Sequence, residues 1–249
     1  MPIEPFKYIQ AKWIYGYHQP MNALRRLGLK EDASLLVIGS GFGKTAMMAS
    51  QKFGCSVIGA EIAPMLVESA NRKVEEKGLT KRVSFQSIDP EKPFLNVEKV
   101  DGILFESVLS FVENPGEVLS YYSAKLNPGG KIGVLEVSFQ DKNPGRALVK
   151  SLKEIFGESG NFKHFEIWEE IFRDSGLSVD GYYPGSISMR RKFWDDLIEE
   201  PIGTWIDLAK TIRMTRKNPG AKKSLDLFRK FFDEYASIMN YGHFILTKK

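Results

Sequence analysis

Three glycines on alternate positions, Gly39, Gly41 and Gly43, close an apolar run in the segment LLVIGSGFG (residues 35–43). An apolar stretch of this length fits a buried parallel strand, and the glycines let the chain turn sharply and admit a ligand against bare backbone. A helix beginning near Lys44 would point its unpaired N–H groups at that ligand. Spacing separates the cofactor classes that use such loops. A phosphate-binding G-x-x-x-x-G-K-[ST] loop matches Gly43, Lys44 and Thr45, but its first glycine falls on Ile38. A dinucleotide G-x-G-x-x-G fingerprint starting at Gly39 puts its third glycine on Lys44. The pattern that remains is G-x-G-x-G, the mark of a nucleotide-like ligand.

Further segments follow in order. Val57–Glu61 (VIGAE) reads as a second strand ending in an acid, and a helix begins at Ile62-Ala63-Pro64-Met65-Leu66. Val83–Asp89 (VSFQSID) and Val100–Glu106 (VDGILFE) read as third and fourth strands. Leu126-Asn127-Pro128-Gly129-Gly130 reads as a helix stop before a strand over Lys131–Val137. With the glycine loop, these segments make residues 33–138 resemble the catalytic core of a class I S-adenosylmethionine-dependent methyltransferase. The resemblance covers somewhat under half of the chain.

The resemblance implies a cofactor, S-adenosylmethionine, with S-adenosylhomocysteine as product. It also implies binding residues. Gly39, Ser40, Gly41 and Gly43 would form the loop, and Glu61 would accept hydrogen bonds from two ribose hydroxyls. Ile62 would pack on the adenine face, with Ile88 and Asp89 beside the adenine amino group. Glu106 and the following Ser107-Val108-Leu109 would face the methyl donor. Related enzymes fold an aromatic or histidine-bearing N-terminal segment over donor and acceptor, which here is Trp13–Pro20, so Tyr17 and His18 would line the substrate site. One departure stands out. The family usually places an acid two positions before the first glycine to hold the donor's methionyl amine, and this chain has Val37. Losing one charge-assisted hydrogen bond there costs about 1.5 to 3 kcal/mol.

Candidates for acid–base chemistry are few. The histidines are His18, His164 and His243. His18 is the candidate general base, against a role in helix capping or packing. His164 reads as a surface loop residue, and His243 lies in the expected last strand. Glu106 is the second catalytic candidate, orienting a nucleophile or taking its proton, against a structural role holding backbone N–H groups. Asp101 reads as a turn or edge residue, and Glu136 faces sheet neighbours or solvent. No metal ligands recur at a recognisable spacing, and the single Cys55 allows neither a disulfide nor a thiolate cluster.

The elements that must position these residues alternate. Strands near 34–39, 56–61, 82–87, 100–106 and 131–138 alternate with helical patterns, so right-handed crossovers give a parallel sheet with ligands at the strands' carboxyl ends. Leu177–Tyr183 and Tyr241–Lys248 resemble the family's sixth and seventh strands, the last antiparallel. The expected fold is a Rossmann-like, mostly parallel seven-stranded α/β sheet with an antiparallel last strand. The expected organisation is one domain over 1–249, with an N-terminal helical segment at 1–32 and a helical cap insertion at 185–239. Asn218-Pro219-Gly220 splits that insertion into two amphipathic segments, and Trp205, on the first, is a candidate substrate contact.

From Leu208 to Leu225 the insertion carries Lys210, Arg213, Arg216, Lys217, Lys222 and Lys223 and no acid. This basic stretch is either a solvated face or an attraction for an anionic small molecule or acidic lipid headgroups at a membrane surface. No RNA-binding module accompanies it, which argues against nucleic acid. A net charge of +4 and 43% hydrophobic residues fit a globular chain. The N-terminal MPIEPFKYIQ has no basic-then-apolar leader pattern, so a cytoplasmic location is expected. Amphipathic helices do not reveal an oligomeric state. The reading is a methyltransferase acting on a small-molecule acceptor, with anionic, aromatic or lipid-like character. The alternatives are a noncatalytic S-adenosylmethionine-binding or protein-interaction module and, third, an NAD(P)-dependent oxidoreductase.

Overall fold

The protein was described from a computed structural model, over residues 18–89, 92, 94–156, 160–187, 194, 197–198 and 201–249. Its core is one sheet. The strands are β1 (Ser34–Ile38), β2 (Ser56–Glu61), β3 (Val83–Ser87), β4 (Val100–Glu106), β5 (Leu126–Phe139), β6 (Lys163–His164), β7 (Leu177–Tyr183) and β8 (Met239–Lys248). Their order is β3-β2-β1-β4-β5-β8-β7, with the two-residue β6 pairing with β5 beyond the main path. Pairing is parallel except for β8, which runs antiparallel to both β5 and β7. The mostly parallel seven-stranded sheet expected from the sequence is therefore present, extended by the short β6.

The helices are α1 (His18–Leu27), α2 (Lys44–Phe53), α3 (Pro64–Glu76), α4 (Pro115–Ser123), α5 (Arg146–Phe156), α6 (Phe165–Asp174), α7 (Pro201–Lys217) and α8 (Pro219–Tyr235). Strand alternation feeds two cores. Leu35, Val37, Leu104, Leu135 and Ile245 point to a core shared with α1, α2, α5 and α8. Leu36, Ile38, Ile103, Phe105, Val134 and Phe244 point to the other, closed by Tyr122 of α4 and by Trp168 and Phe172 of α6. Both faces are covered, which is why the central strands read as continuous apolar runs. The side chain at position 37 is fully buried, so an apolar residue there contributes to packing on the α1 and α2 face.

The helix stop expected at Leu126–Gly130 is corrected by the structure. Helix α4 already ends at Ser123, and residues 126–130 form the irregular start of β5: Val100 pairs with Leu126, then Gly102 with Lys131. Gly129 takes the left-handed conformation (φ 78°) inside this irregularity. The Asp101 carboxylate braces it, accepting from Ser34 N at 2.8 Å, Ser34 Oγ at 2.8 Å and Asn127 Nδ2 at 2.7 Å. The Ser34 amide bond holds the Asp101 carboxyl below the usual range.

Helices α7 and α8 lie between β7 and β8 and pack on each other, with α8 also touching α5. Asn218 caps α8, its Oδ1 accepting from Ala221 N at 3.1 Å, with Pro219 in the first turn. No helix among the described residues is long and apolar enough to cross a membrane.

Candidate cofactor and acceptor site

At the carboxyl end of β1 the chain passes through three residues with left-handed backbone: Gly39 (φ 79°), Gly41 (φ 52°) and Gly43 (φ 77°). Their surroundings differ. A Cβ on Gly39 would collide with Val108 Cγ2 and lie 2.6 Å from Glu106 O, and one on Gly43 would collide with the Phe85 ring. One on Gly41 would meet nothing within 4 Å. Gly39 and Gly43 are thus bare because protein approaches them, and Gly41 is bare beside open space. The loop is pinned by Gly39 N and Ser40 N, which donate to Ala60 O at 2.8 and 3.1 Å. Helix α2 starts directly after it, so its first amides face the same space.

Glu61 ends β2 and crosses to this loop. Its Oε2 accepts from Gly41 N at 2.9 Å, while Oε1 accepts from Ile62 N at 2.9 Å and Ala63 N at 3.2 Å. Of the carboxylate's roughly four acceptor positions these bonds take three, which leaves one on Oε2 for a hydroxyl donor. Ile62, next to it, is 52% exposed. Ile88 is buried and donates its amide to Glu61 O at 3.0 Å, which brings Asp89, exposed at the end of β3, to the same rim.

Glu106 ends β4 on the other side of the loop. Thr45 Oγ1, in the first turn of α2, donates to its Oε1 at 2.7 Å. Burial pushes the Glu106 carboxyl up to about 7; the Thr45 bond opposes this and the charge of Glu61 adds to it. Two acids from the ends of the strands on either side of β1 thus sense each other across one glycine loop, an arrangement suited to a ligand that carries positive charge and hydroxyls.

Beyond Glu106 the chain makes a sharp turn through Ser107 (φ 54°) into a 3-10 turn at Leu109–Phe111. Ser107 Oγ and Tyr241 Oη lie 3.5 Å apart. The Glu136 carboxylate, fully buried on β5, accepts from Leu109 N, Ser110 N and Ser110 Oγ. Burial also pushes Glu136 up to about 7.

His18 is exposed at the first position of α1, and its neighbour Gln19 meets His243 Nδ1 through Oε1 at 3.0 Å. His243 is buried, and burial pushes its imidazole down to about 4, so it is neutral at physiological pH. His164 is not a surface loop residue. It is 5% exposed and caps α6, its Nδ1 accepting from Glu166 N at 3.2 Å, with its ring against Phe165. Trp205 is 57% exposed on α7. Tyr17 lies outside the described residues. Thr45, Glu136 and Tyr241 were not singled out as site residues by sequence reasoning. Thr45 was visible only as part of a rejected phosphate-loop pattern, and the other two carry no local motif.

This geometry carries the alternating glycines, the acid at the end of β2 and the acid at the end of β4 onto one rim. Residues 36–134 match the family model described as a methyltransferase domain. Residues 36–134 carry a methyltransferase domain. The matched span runs from β1 into β5 and includes every strand end that borders the glycine loop. Aklanonic acid methyltransferase DauC of a Streptomyces species (strain C5) is 26% identical over 59% of this chain and 72% of its own length. Methyltransferase GfsG of Streptomyces halstedii is 27% identical over 62% of this chain, which spans 56% of that relative. A methyltransferase structure from Thiobacillus denitrificans, in complex with S-adenosyl-L-homocysteine, superposes with a TM-score of 0.69 at 18% identity, over 99% of this chain and 97% of that one. That likeness is one of fold.

The methyltransferase domain's cofactor is S-adenosylmethionine. The residues of this chain fit it on two structural counts: Gly41 leaves an open cradle, and Ser40 Oγ is buried with no hydrogen bond among the described residues.

Proposed function

We propose that the protein transfers a methyl group from S-adenosylmethionine to a small-molecule acceptor. The reading rests above all on the convergence of Glu61 and Glu106 on Gly39–Gly43. Glu61 would accept from the ribose hydroxyls, Ile62, Ile88 and Asp89 would border the adenine, and Gly39, Ser40, Gly41 and Gly43 would line the methionyl side. When bound, the cofactor supplies a methyl carbon already activated by attachment to a sulfonium.

The protein's own task is alignment, water exclusion and charge placement. Glu106, held by Thr45, would face the cationic end of the donor, a role that offsets the missing acid at Val37. As a carboxylate it stabilises positive charge; it can also take a proton from an acceptor hydroxyl or amine, and its placement near pH 7 suits either role. His18, at the start of α1, is the second candidate proton acceptor, and Tyr17 would border the same acceptor. Helices α7 and α8, with Trp205, would form the cap of a single domain that selects the acceptor. Arg213, Arg216, Lys217, Lys222 and Lys223 are exposed or at the surface of this pair, which favours an acceptor of anionic or lipid-like character over a cationic one. DauC, named for aklanonic acid, supports a small-molecule acceptor. A cytoplasmic location accompanies the reading.

The test is transfer of radiolabelled methyl from S-adenosylmethionine to a panel of anionic, aromatic and lipid-like small molecules. Label appearing in one acceptor class, and lost in Glu106→Gln, supports the assignment. Saturable donor binding with no label transferred to any class favours the noncatalytic binding module instead.

A further inference from the structure

The turn that follows β4 has an unusual anchor. Ser107 adopts a left-handed backbone (φ 54°), a conformation that costs a non-glycine residue about 1 to 2 kcal/mol and so must be held by its surroundings. Its amide donates to Leu135 O at 2.8 Å. Beyond it, two consecutive amides converge on one buried carboxylate: Glu136 Oε1 accepts from Leu109 N at 2.7 Å and Ser110 N at 3.3 Å, and Oε2 accepts from Ser110 Oγ at 2.8 Å. Glu136 itself is 0% exposed.

A buried carboxylate is a costly way to stabilise a core, because the desolvation of the charge is recovered only through its hydrogen bonds; an apolar side chain on β5 would serve packing better. What the carboxylate supplies is location. It converts a strained, polar turn into a fixed one. The turn then touches the donor side twice: Val108 packs so closely on Gly39 that no Cβ fits there, and Ser107 directly follows Glu106.

We infer that Glu136 is a positioning residue for the donor-facing turn, fixing residues 107–110 so that Val108 closes against the glycine loop and Ser107 stands beside Tyr241 at the acceptor side. The inference rests on the donor site proposed above. Glu136 does not itself reach cofactor or acceptor in this role, and acts through the Leu109 and Ser110 amides. Sequence alternation alone left its partner open between sheet neighbours and solvent.

The experiment compares wild type with Glu136→Gln, which keeps the shape, takes the charge from the acceptor of the Leu109 and Ser110 amides and puts an N–H₂ against Ser110 Oγ, and Ser110→Ala, which removes one donor and leaves the acid. Hydrogen exchange is followed in peptides covering 107–111, β1 and β2, and S-adenosylhomocysteine binding is measured by calorimetry. In Glu136→Gln the 107–111 peptide is expected to exchange at least about tenfold faster while β1 and β2 keep their protection. Affinity should fall by about tenfold or more. Ser110→Ala should shift both readouts in the same direction by less. Wild-type loop exchange and affinity in a folded Glu136→Gln overturn the inference. So does an equal loss of protection in β1, β2 and the turn, which marks a purely structural role. If Glu136→Gln does not fold, Ser110→Ala decides, and wild-type behaviour there overturns it. If the wild-type protein binds no S-adenosylhomocysteine, the donor-site reading fails on its own, and the exchange comparison still decides whether Glu136 holds the turn.

Discussion

The Thr45 hydroxyl and the Glu106 carboxylate are joined at 2.7 Å, linking the first turn of α2 to the last residue of β4. The bond ties the two elements that flank the glycine loop and is the side-chain hydrogen bond that Glu106 receives among the described residues, in a largely desolvated setting. Its carboxyl is consequently pushed up to about 7 by burial, and its charge state changes within the physiological range.

The first prediction concerns pH. A carboxyl whose folded pKa stands above its ordinary value of 4.5 binds its proton more tightly in the folded state, so its stabilising contribution is complete below pH 4.5 and is lost as pH rises through about 7. Thermal unfolding should show stability falling from pH 5 to 7.5, with a shallower slope in Glu106→Gln. Allowing for the solvent access Glu106 retains, its share is on the order of 1 to 2 kcal/mol. Positive charge on the ligand favours the ionised form. The affinity for S-adenosylmethionine, divided by that for the uncharged-sulfur product, should therefore rise between pH 6 and 8 by up to about tenfold in wild type and stay flat in Glu106→Gln. A flat ratio in wild type would remove Glu106 from the neighbourhood of the sulfonium.

A second prediction addresses Glu61. Its carboxylate organises Gly41, Ile62 and Ala63 through backbone bonds and would also serve the ribose. Glu61→Ala should weaken S-adenosylhomocysteine binding by about ten- to hundredfold, while circular dichroism and a cooperative unfolding transition are kept, because β2 stays paired to β1 and β3. Wild-type affinity in a well-folded variant would exclude the ribose role.

The glycines separate packing from ligand access. Gly43→Ala should cost about 2 to 4 kcal/mol in denaturant unfolding, since the new methyl meets both left-handed strain and the Phe85 ring. Adding Phe85→Leu should make the second step less costly than its effect in wild type. Gly41→Ala should cost only the backbone strain, about 1 kcal/mol, and lower ligand affinity instead. Additive costs for Gly43→Ala and Phe85→Leu in a double-mutant cycle would contradict the contact.

Much of the fold was legible because burial on both faces writes itself into stretches such as Leu35–Ile38 of β1 and Ile103–Phe105 of β4 as unbroken apolar runs. Glycine and proline were less informative. They marked an irregularity at Asn127–Gly130 but not which element it interrupts, and the β4–β5 register shift rather than a helix end accounts for them. His164 looked like a loop residue because no apolar periodicity leads into it, whereas it pairs with Phe139 at the end of β5 and is buried there. The acids at the ends of β2 and β4 could be found from their place at strand ends. The partners of Glu136 could not, because they lie 26 and 27 residues away on a turn that no periodicity records. Thr45 was similarly hidden, since its partner is 61 residues distant.

The most direct test is calorimetric titration of the cofactor-stripped protein with S-adenosylmethionine and S-adenosylhomocysteine, with NAD as comparison. The account predicts saturable binding of the first two despite Val37, a loss of that binding in Glu61→Ala, and no heat from NAD. Absence of binding up to about millimolar ligand, an interaction weaker than about 4 kcal/mol, or preferential binding of NAD, would contradict it.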